Sequence, residues 1–431
     1  MTREAVTVKR FATRVQRLAT RVQRLAALAC AMVLIAHPCS AYSVLAHEAV
    51  VDSVWETHLK PLLLQKFPGA TPEELKQAHA YAYGGCLAPD LGYVPFSSRT
   101  FSDLAHYARS GDFVAALIRD AQTLDEYAFA LGTLAHYVAD NTGHPVVNHI
   151  TGLLHSKLRA KFGNAVTYED NPGDHIKTEF SLDVVQVSRG LYAPEAYHDF
   201  IGFQVSKPVV ERAFQDTYGI ELKEVFSTLD LGIGTYRFMV GRIVPGLTNA
   251  AWQTKRKEIE QLRPGVQRSK FVWALPRKQY EKTWGKQYHA PGIGSRLLAA
   301  VFTLMPKFGP FKVLAFQPVT PVEERDFLRS FDATVVEYRT LLDAVGAGSL
   351  RLPNRNLDTG NPAHTGEYRL ADEVHQHLLE KLADRKFAEM KPELKQAITD
   401  FFHGADRTQL AEKTQKLLDQ MDQSQATAQV R

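Results

Sequence analysis

The stretch HYVADNTGH sets His136, Asp140 and His144 at intervals of four residues. An α-helix, at about 3.6 residues per turn, is the regular structure that stacks such positions on one face. The surrounding LDEYAFALGTLAHYVAD is rich in apolar residues, as expected of a buried helix. The pair His175-xxx-Glu179 repeats the spacing. Three further candidates stand upstream: His47 in HEAVVD, Asp90 in GGCLAPDLGY and His106 in DLAHY. Imidazole and carboxylate together are what Zn²⁺ and similar cations bind. Eight such residues within 133 positions point to a multinuclear metal site.

The rest of the chain reads as helical, and the expected fold class is all-α. Residues 50–67 carry apolar side chains at three- and four-residue spacings. Residues 71–85 open with Thr71 as a helix cap, Pro72 at the first helical position and Glu74 three residues after the cap. Gly84-Gly85 is expected to end that helix. A short helix is expected at 113–118 and a long one at 124–144, broken by Pro145. The run Asn171-Pro172-Gly173-Asp174 reads as a turn into a helix from His175. Further helices are expected at 206–216, 221–227, 247–262, 323–345, 370–384, 391–402 and 406–421. Residues 418–431 are polar and expected to fray.

The net charge of +4 conceals a split. Residues 1–41 hold seven Lys/Arg and one Glu, which leaves 44 basic against 46 acidic groups in the remainder. No global charge therefore favours nucleic acid. Within 1–41, ATRVQRL occurs twice in tandem, followed by the apolar LAALACAMVLIA and then PCSAYS. This is the pattern of a secretory signal peptide with cleavage after Ala41, and it implies a secreted or periplasmic protein. An uncleaved membrane anchor is the alternative. Cys30 and Cys39 would leave with the signal, so Cys86 would remain alone with no intramolecular disulfide available. Two regions are then expected, 42–245 and 246–431. Residues 255–286 hold ten Lys/Arg against three Glu, interleaved with Phe271, Trp273, Tyr280 and Trp284. The simpler reading is a solvated basic face; the other is peripheral contact of 255–316 with an anionic membrane surface.

The motifs HEAVVDSVW, GGCLAPDLGY, DLAHY, ALGTLAHYVADNTGHP and HIKTE resemble the zinc-dependent phospholipase C family. That family is related in fold to the S1/P1 nucleases and to the N-terminal domain of glycosylphosphatidylinositol-specific phospholipase D. The resemblance spans residues 42 to about 200. It implies an all-helical domain with up to three zinc ions in a cleft, here counted as two or three. It implies that Asp140 bridges two zincs, that His106 and His136 bind one of that pair, and that His47 helps bind the other. His144, His175 and Glu179 would hold the third. Asp90 matches a carboxylate that acts on the attacking water as general base, or that ligates metal in related members. Two departures stand out. Bacterial members begin with a Trp whose terminal groups bind zinc, whereas the mature chain here is expected to begin at Tyr42, with Trp55 inside a helix. His144 follows Asp140 by four residues, which agrees better with the phospholipase D-like branch; His149 is a substitute ligand.

The leading expectation is a metal-dependent phosphodiester hydrolase of phospholipase C type acting on a phospholipid. A nuclease or other phosphoesterase on the same fold is one alternative, and a non-catalytic, zinc-stabilised binding protein is another. His58, His79, His155 and His198 read as structural or surface residues. His364, His375, His377 and Glu367 read as a solvated helix face. Tyr83, Tyr93 and Phe96 flank Asp90 and read more simply as core than as cleft lining.

Overall fold

The computed structural model describes residues 44–94, 97–189, 203–226, 229–238, scattered positions between 252 and 268, 317–388, 390–403 and 410–428. Fourteen α-helices occupy them, and no β-strand occurs among the described residues. They are α1 (Val44–Val54), α2 (Lys60–Lys66), α3 (Pro72–Leu87), α4 (Arg99–Tyr107), α5 (Ser110–Asp120), α6 (Leu124–Leu154) and α7 (Ser156–Phe162). Then come α8 (Pro172–Arg189), α9 (Lys207–Tyr218), α10 (Leu229–Phe238), α11 (Pro321–Gly346), α12 (Arg369–Asp384), α13 (Pro392–His403) and α14 (Glu412–Ala428). The all-α class expected from the sequence is the class observed. A π-helical turn, Trp55–Leu59, joins α1 to α2, and a 3₁₀ turn, Ala88–Tyr93, follows α3.

Helix α6 is the axis of the fold. Its start is set by Thr123, whose hydroxyl accepts from the Glu126 N–H at 3.2 Å. Its 31 residues span about 46 Å. Helices α1, α3, α5, α8 and α11 all pack against it. The closest neighbour is α3, and small residues make that approach possible. A Cβ on Gly85 would collide with the Phe129 carbonyl, and one on Gly132 with the Ala82 carbonyl. From the far side of the chain, Tyr338 on α11 donates to the Leu131 carbonyl at 2.8 Å. Residues of α11 and α12 share one continuous apolar core with α1–α6.

Several expected boundaries shift, each for a physical reason. The Thr71–Glu74 capping box is present, but Gly84-Gly85 does not end α3, which runs on to Leu87. These glycines serve close packing instead: a Cβ on Gly84 would strike the Gln204 carbonyl. Pro145 does not break α6 either. Proline removes the bond to the carbonyl four residues earlier, that of Asn141. Gly360 lies over that carbonyl so closely that a Cβ there would stand 2.7 Å from it. Helix 113–118 extends to 110–120. The described residues 221–226 hold a 3₁₀ turn, Leu222–Glu224, in place of the expected helix, while α10 was not foreseen. The signal segment 1–41, the junction at 245–246, Phe96, His198 and most of 255–316 lie outside the described residues.

The α3–α6 contact makes a prediction. Gly132→Ala is expected to lower stability by about 1–3 kcal/mol through overpacking, read by urea unfolding. An unchanged midpoint would mean that the helices separate freely at this crossing.

Candidate metal centre

Five elements carry the eight predicted residues to one place. Helix α1 brings His47, the 3₁₀ turn brings Asp90, α4 brings His106, α6 brings His136, Asp140 and His144, and α8 brings His175 and Glu179. All eight are buried, at 0–2% exposure. The turn that carries Asp90 is pinned by Ser102, whose hydroxyl donates to the Pro89 carbonyl and accepts from the Gly92 N–H. Helix α8 starts at Pro172, with the Asn171 side chain accepting from the Asp174 N–H at 3.0 Å, so His175 and Glu179 project from its first two turns.

The donor atoms fall into three clusters: His47, His136 and Asp140; Asp90, His106 and His136; and His144, His175 and Glu179. Asp140 sits at their centre. Its Oδ1 is 3.5 Å from His47 Nε2, and its Oδ2 is 3.0 Å from His136 Nε2, 3.4 Å from His106 Nε2 and 3.6 Å from His144 Nε2. Asp90 Oδ1 is 3.4 Å from His106 Nε2. Two donors held at zinc–ligand distance in a tetrahedral shell stand roughly 3.3 Å apart. These separations match that spacing. They are also too long for good hydrogen bonds, except at His136.

The unsatisfied polar atoms point the same way. Among the described residues, both oxygens of Asp140, both ring nitrogens of His144, His175 Nε2 and Glu179 Oε1 are buried without a hydrogen-bond partner. His175 Nε2 and Glu179 Oε1 are 2.7 Å apart yet lack hydrogen-bond alignment. A buried carboxylate in that position is costly unless a cation meets it. Backbone carbonyls fix the ring orientations. His106 Nδ1 donates to Ser102 O at 2.8 Å and His136 Nδ1 donates to Cys86 O at 2.9 Å, which turns each Nε2 toward the centre.

Protonation follows from burial and neighbours. Burial, with His136 nearby, lowers the pKa of His47 to about 3, and burial with His144 nearby does the same to His175. Both rings are therefore neutral, the form that ligates metal. Burial would raise Asp140, but His136 and His144 hold it well below the usual carboxylate range. Burial, with Asp90 and Asp140 adding to it, pushes Glu179 well above that range. Burial opposes charge on His106, yet the neighbouring Asp140 and Asp90 carboxylates hold its pKa well above the usual value. The residues present thus fit a set of divalent cations.

Other sequence-based expectations resolve individually. His149 is exposed and stands apart from the donor clusters, so it is no substitute ligand. Trp55 is in the core, stacked on His79 at 3.8 Å, and His79 Nε2 is 2.9 Å from Asp52. Tyr83 is buried with its hydroxyl on Asp52, and Tyr93 is buried against His106. His375 is not on a solvated face: it is buried and stacked on Phe401 at 3.4 Å, while His377 is exposed. A cavity of about 1060 Å³ between α5 and the C-terminal helices is lined by Arg109, Asp112, Asp216 and Lys391 and contains none of the eight residues. One residue was missed. Asp358, fully buried, places Oδ1 3.6 Å from His144 Nε2. In the sequence it lies in RNLDTGNP, which reads only as a turn.

A pH prediction follows from the raised pKa values. The upward shifts favour the protonated forms of Glu179 and His106 in the metal-free chain, and a bound cation must displace those protons. Zinc binding should therefore release protons and weaken as pH falls. Calorimetry in buffers of different ionisation enthalpy would detect this, and a buffer-independent heat would contradict it.

Comparison with known proteins agrees with this geometry. Residues 46–228 match the family model described as zinc dependent phospholipase C. No curated protein and no solved structure matches the chain. All eight converging residues lie inside the matched segment, and Asp358 lies outside it. Residues 46–228 belong to the zinc-dependent phospholipase C family, metal-dependent hydrolases of phosphodiester bonds.

Proposed function

We propose that the chain is a secreted phospholipase C-type enzyme that cleaves the glycerol-side phosphodiester of a phospholipid and releases diacylglycerol. The observation that carries this reading is the convergence of eight buried donors into three adjacent clusters around Asp140. His47, His106, His136, Asp140, His144, His175 and Glu179 hold two or three zinc ions. Zinc bound there supplies the acidity that activates a water near neutral pH and the positive charge that offsets charge developing on phosphate. The chain's residues do the rest. Asp90, beside His106 and within the cluster it forms with His106 and His136, orients the attacking water and takes its proton. Asp140 holds the imidazoles of three elements in register.

The charge balance supports a lipid over a nucleic acid: beyond residue 41 the chain carries 44 basic and 46 acidic groups. The signal pattern in 1–41 supports secretion. No described helix is long and apolar enough to cross a membrane. The basic, aromatic stretch within 255–316 supports docking on an anionic bilayer.

The test is hydrolysis of phosphatidylcholine vesicles, with and without anionic lipid, beside single-stranded DNA. Asp140→Ala and His136→Ala are expected to lower lipid hydrolysis at least a hundredfold and to lose zinc by mass spectrometry. Faster cleavage of DNA than of lipid would transfer the site to a nuclease. Full zinc with neither activity would make the centre structural.

A further inference from the structure

Asp358 stands 130 positions beyond the end of the segment that matches the family, yet it reaches the metal centre. It is presented by a loop that is anchored from both sides. The Leu357 N–H donates to the carbonyl of His106 at 3.1 Å. The Arg355 N–H donates to the Ser110 hydroxyl, which donates in turn to the Arg355 carbonyl. Arg355 and Pro362 form an isolated antiparallel bridge, and Gly360 at φ +71° closes the turn between them. Glu367 accepts from Asn356, Thr359 and Asn361, at 2.9–3.0 Å, and so braces the loop from behind.

The Asp358 side chain is equally constrained. Its N–H donates to Asn356 Oδ1, and its carbonyl accepts from Asn148 on α6 at 2.9 Å. The hydroxyls of Tyr107 and Tyr368 both donate to Oδ2, at 2.8 and 2.6 Å. Oδ1, the other oxygen, faces His144 Nε2 at 3.6 Å. That separation is too long for a hydrogen bond and close to the roughly 3.3 Å expected of two donors on one tetrahedral ion. A carboxylate held by hydroxyl donors and set beside a ligand histidine is how proteins orient metal-binding carboxylates. Charge agrees as well. His144, His175 and Glu179 offer one negative charge to a divalent cation, and Asp358 supplies the second.

We infer that Asp358 is a further ligand of the ion held by His144, His175 and Glu179, so that the region beyond residue 228 completes the metal centre. The inference rests on the zinc-centre reading above. It makes the loop around 355–362 part of the metal centre: bound zinc would add a further tie to a loop already held on α6 by Asn148, and loss of the loop would weaken one site of the set.

The experiment is zinc binding to the full chain, by mass spectrometry and by competition titration, for wild type, Asp140→Ala and Asp358→Asn. Circular dichroism would verify the fold of each. Asp358→Asn is expected to bind one zinc at least tenfold more weakly than wild type. In cobalt-loaded Asp358→Cys, a thiolate-to-cobalt charge-transfer band absent from cobalt-loaded wild type would place the side chain on the ion. Wild-type zinc stoichiometry and affinity in Asp358→Asn, with no such band in Asp358→Cys, would overturn the inference while leaving the zinc-centre reading intact. A wild-type chain that binds no zinc would overturn both. If the variants do not fold, hydrogen exchange of the wild type decides. Protection of amides 356–360 that rises on zinc loading more than that of the α3–α6 crossing supports ligation. Protection that is unchanged overturns it.

Discussion

The carboxylate of Asp140, fully buried with four imidazole nitrogens 3.0–3.6 Å away, is the constraint around which this molecule is arranged. A charge withdrawn from water needs an opposing charge nearby. Cations bound at the clusters would resolve that cost and would explain why so many polar side chains meet where apolar packing would be cheaper to build. Helices α1, α4, α6 and α8 must all be in place before the donors converge. Metal binding and folding are therefore coupled, because no partial assembly of these helices presents a complete set.

The packing around α6 serves that requirement. Gly85 and Gly132 let α3 and α6 approach at backbone distance. This close approach brings the Cys86 carbonyl to the His136 ring and sets the start of the turn that carries Asp90. Continuation of α6 through Pro145 matters for the same reason. A break there would detach Asn148 from the helix that bears His144, and Asn148 is what holds the Asp358 carbonyl. The C-terminal helices are part of this arrangement, since α11 packs along α6 and α12 on α4.

Much of the site was legible in the sequence because helical spacing converts directly into direction. His136, Asp140 and His144, like His175 and Glu179, needed only a helix to share a face. His47, Asp90 and His106 were recognised through their motifs, which carry no geometry of their own. The glycine pair at 84–85 and Pro145 misled for one reason: their local preference is for helix ends, and tertiary contacts with Gln204, Phe129 and Gly360 overrode it. His375 looked solvated because sequence shows the face of a helix but not what later packs on it, here Phe401.

By itself the sequence determined the fold class, the family that residues 46–228 match and the identity of eight candidate metal-ligand side chains, because helix periodicity and ordered donor motifs are local properties. Only the tertiary structure decided how those donors divide into three clusters, which oxygen of Asp140 meets which imidazole, and that Asp358 lies beside His144 from 214 positions further along the chain. Those are contacts between segments far apart in the chain, and a turn such as RNLDTGNP carries no sign of the surface against which it will close.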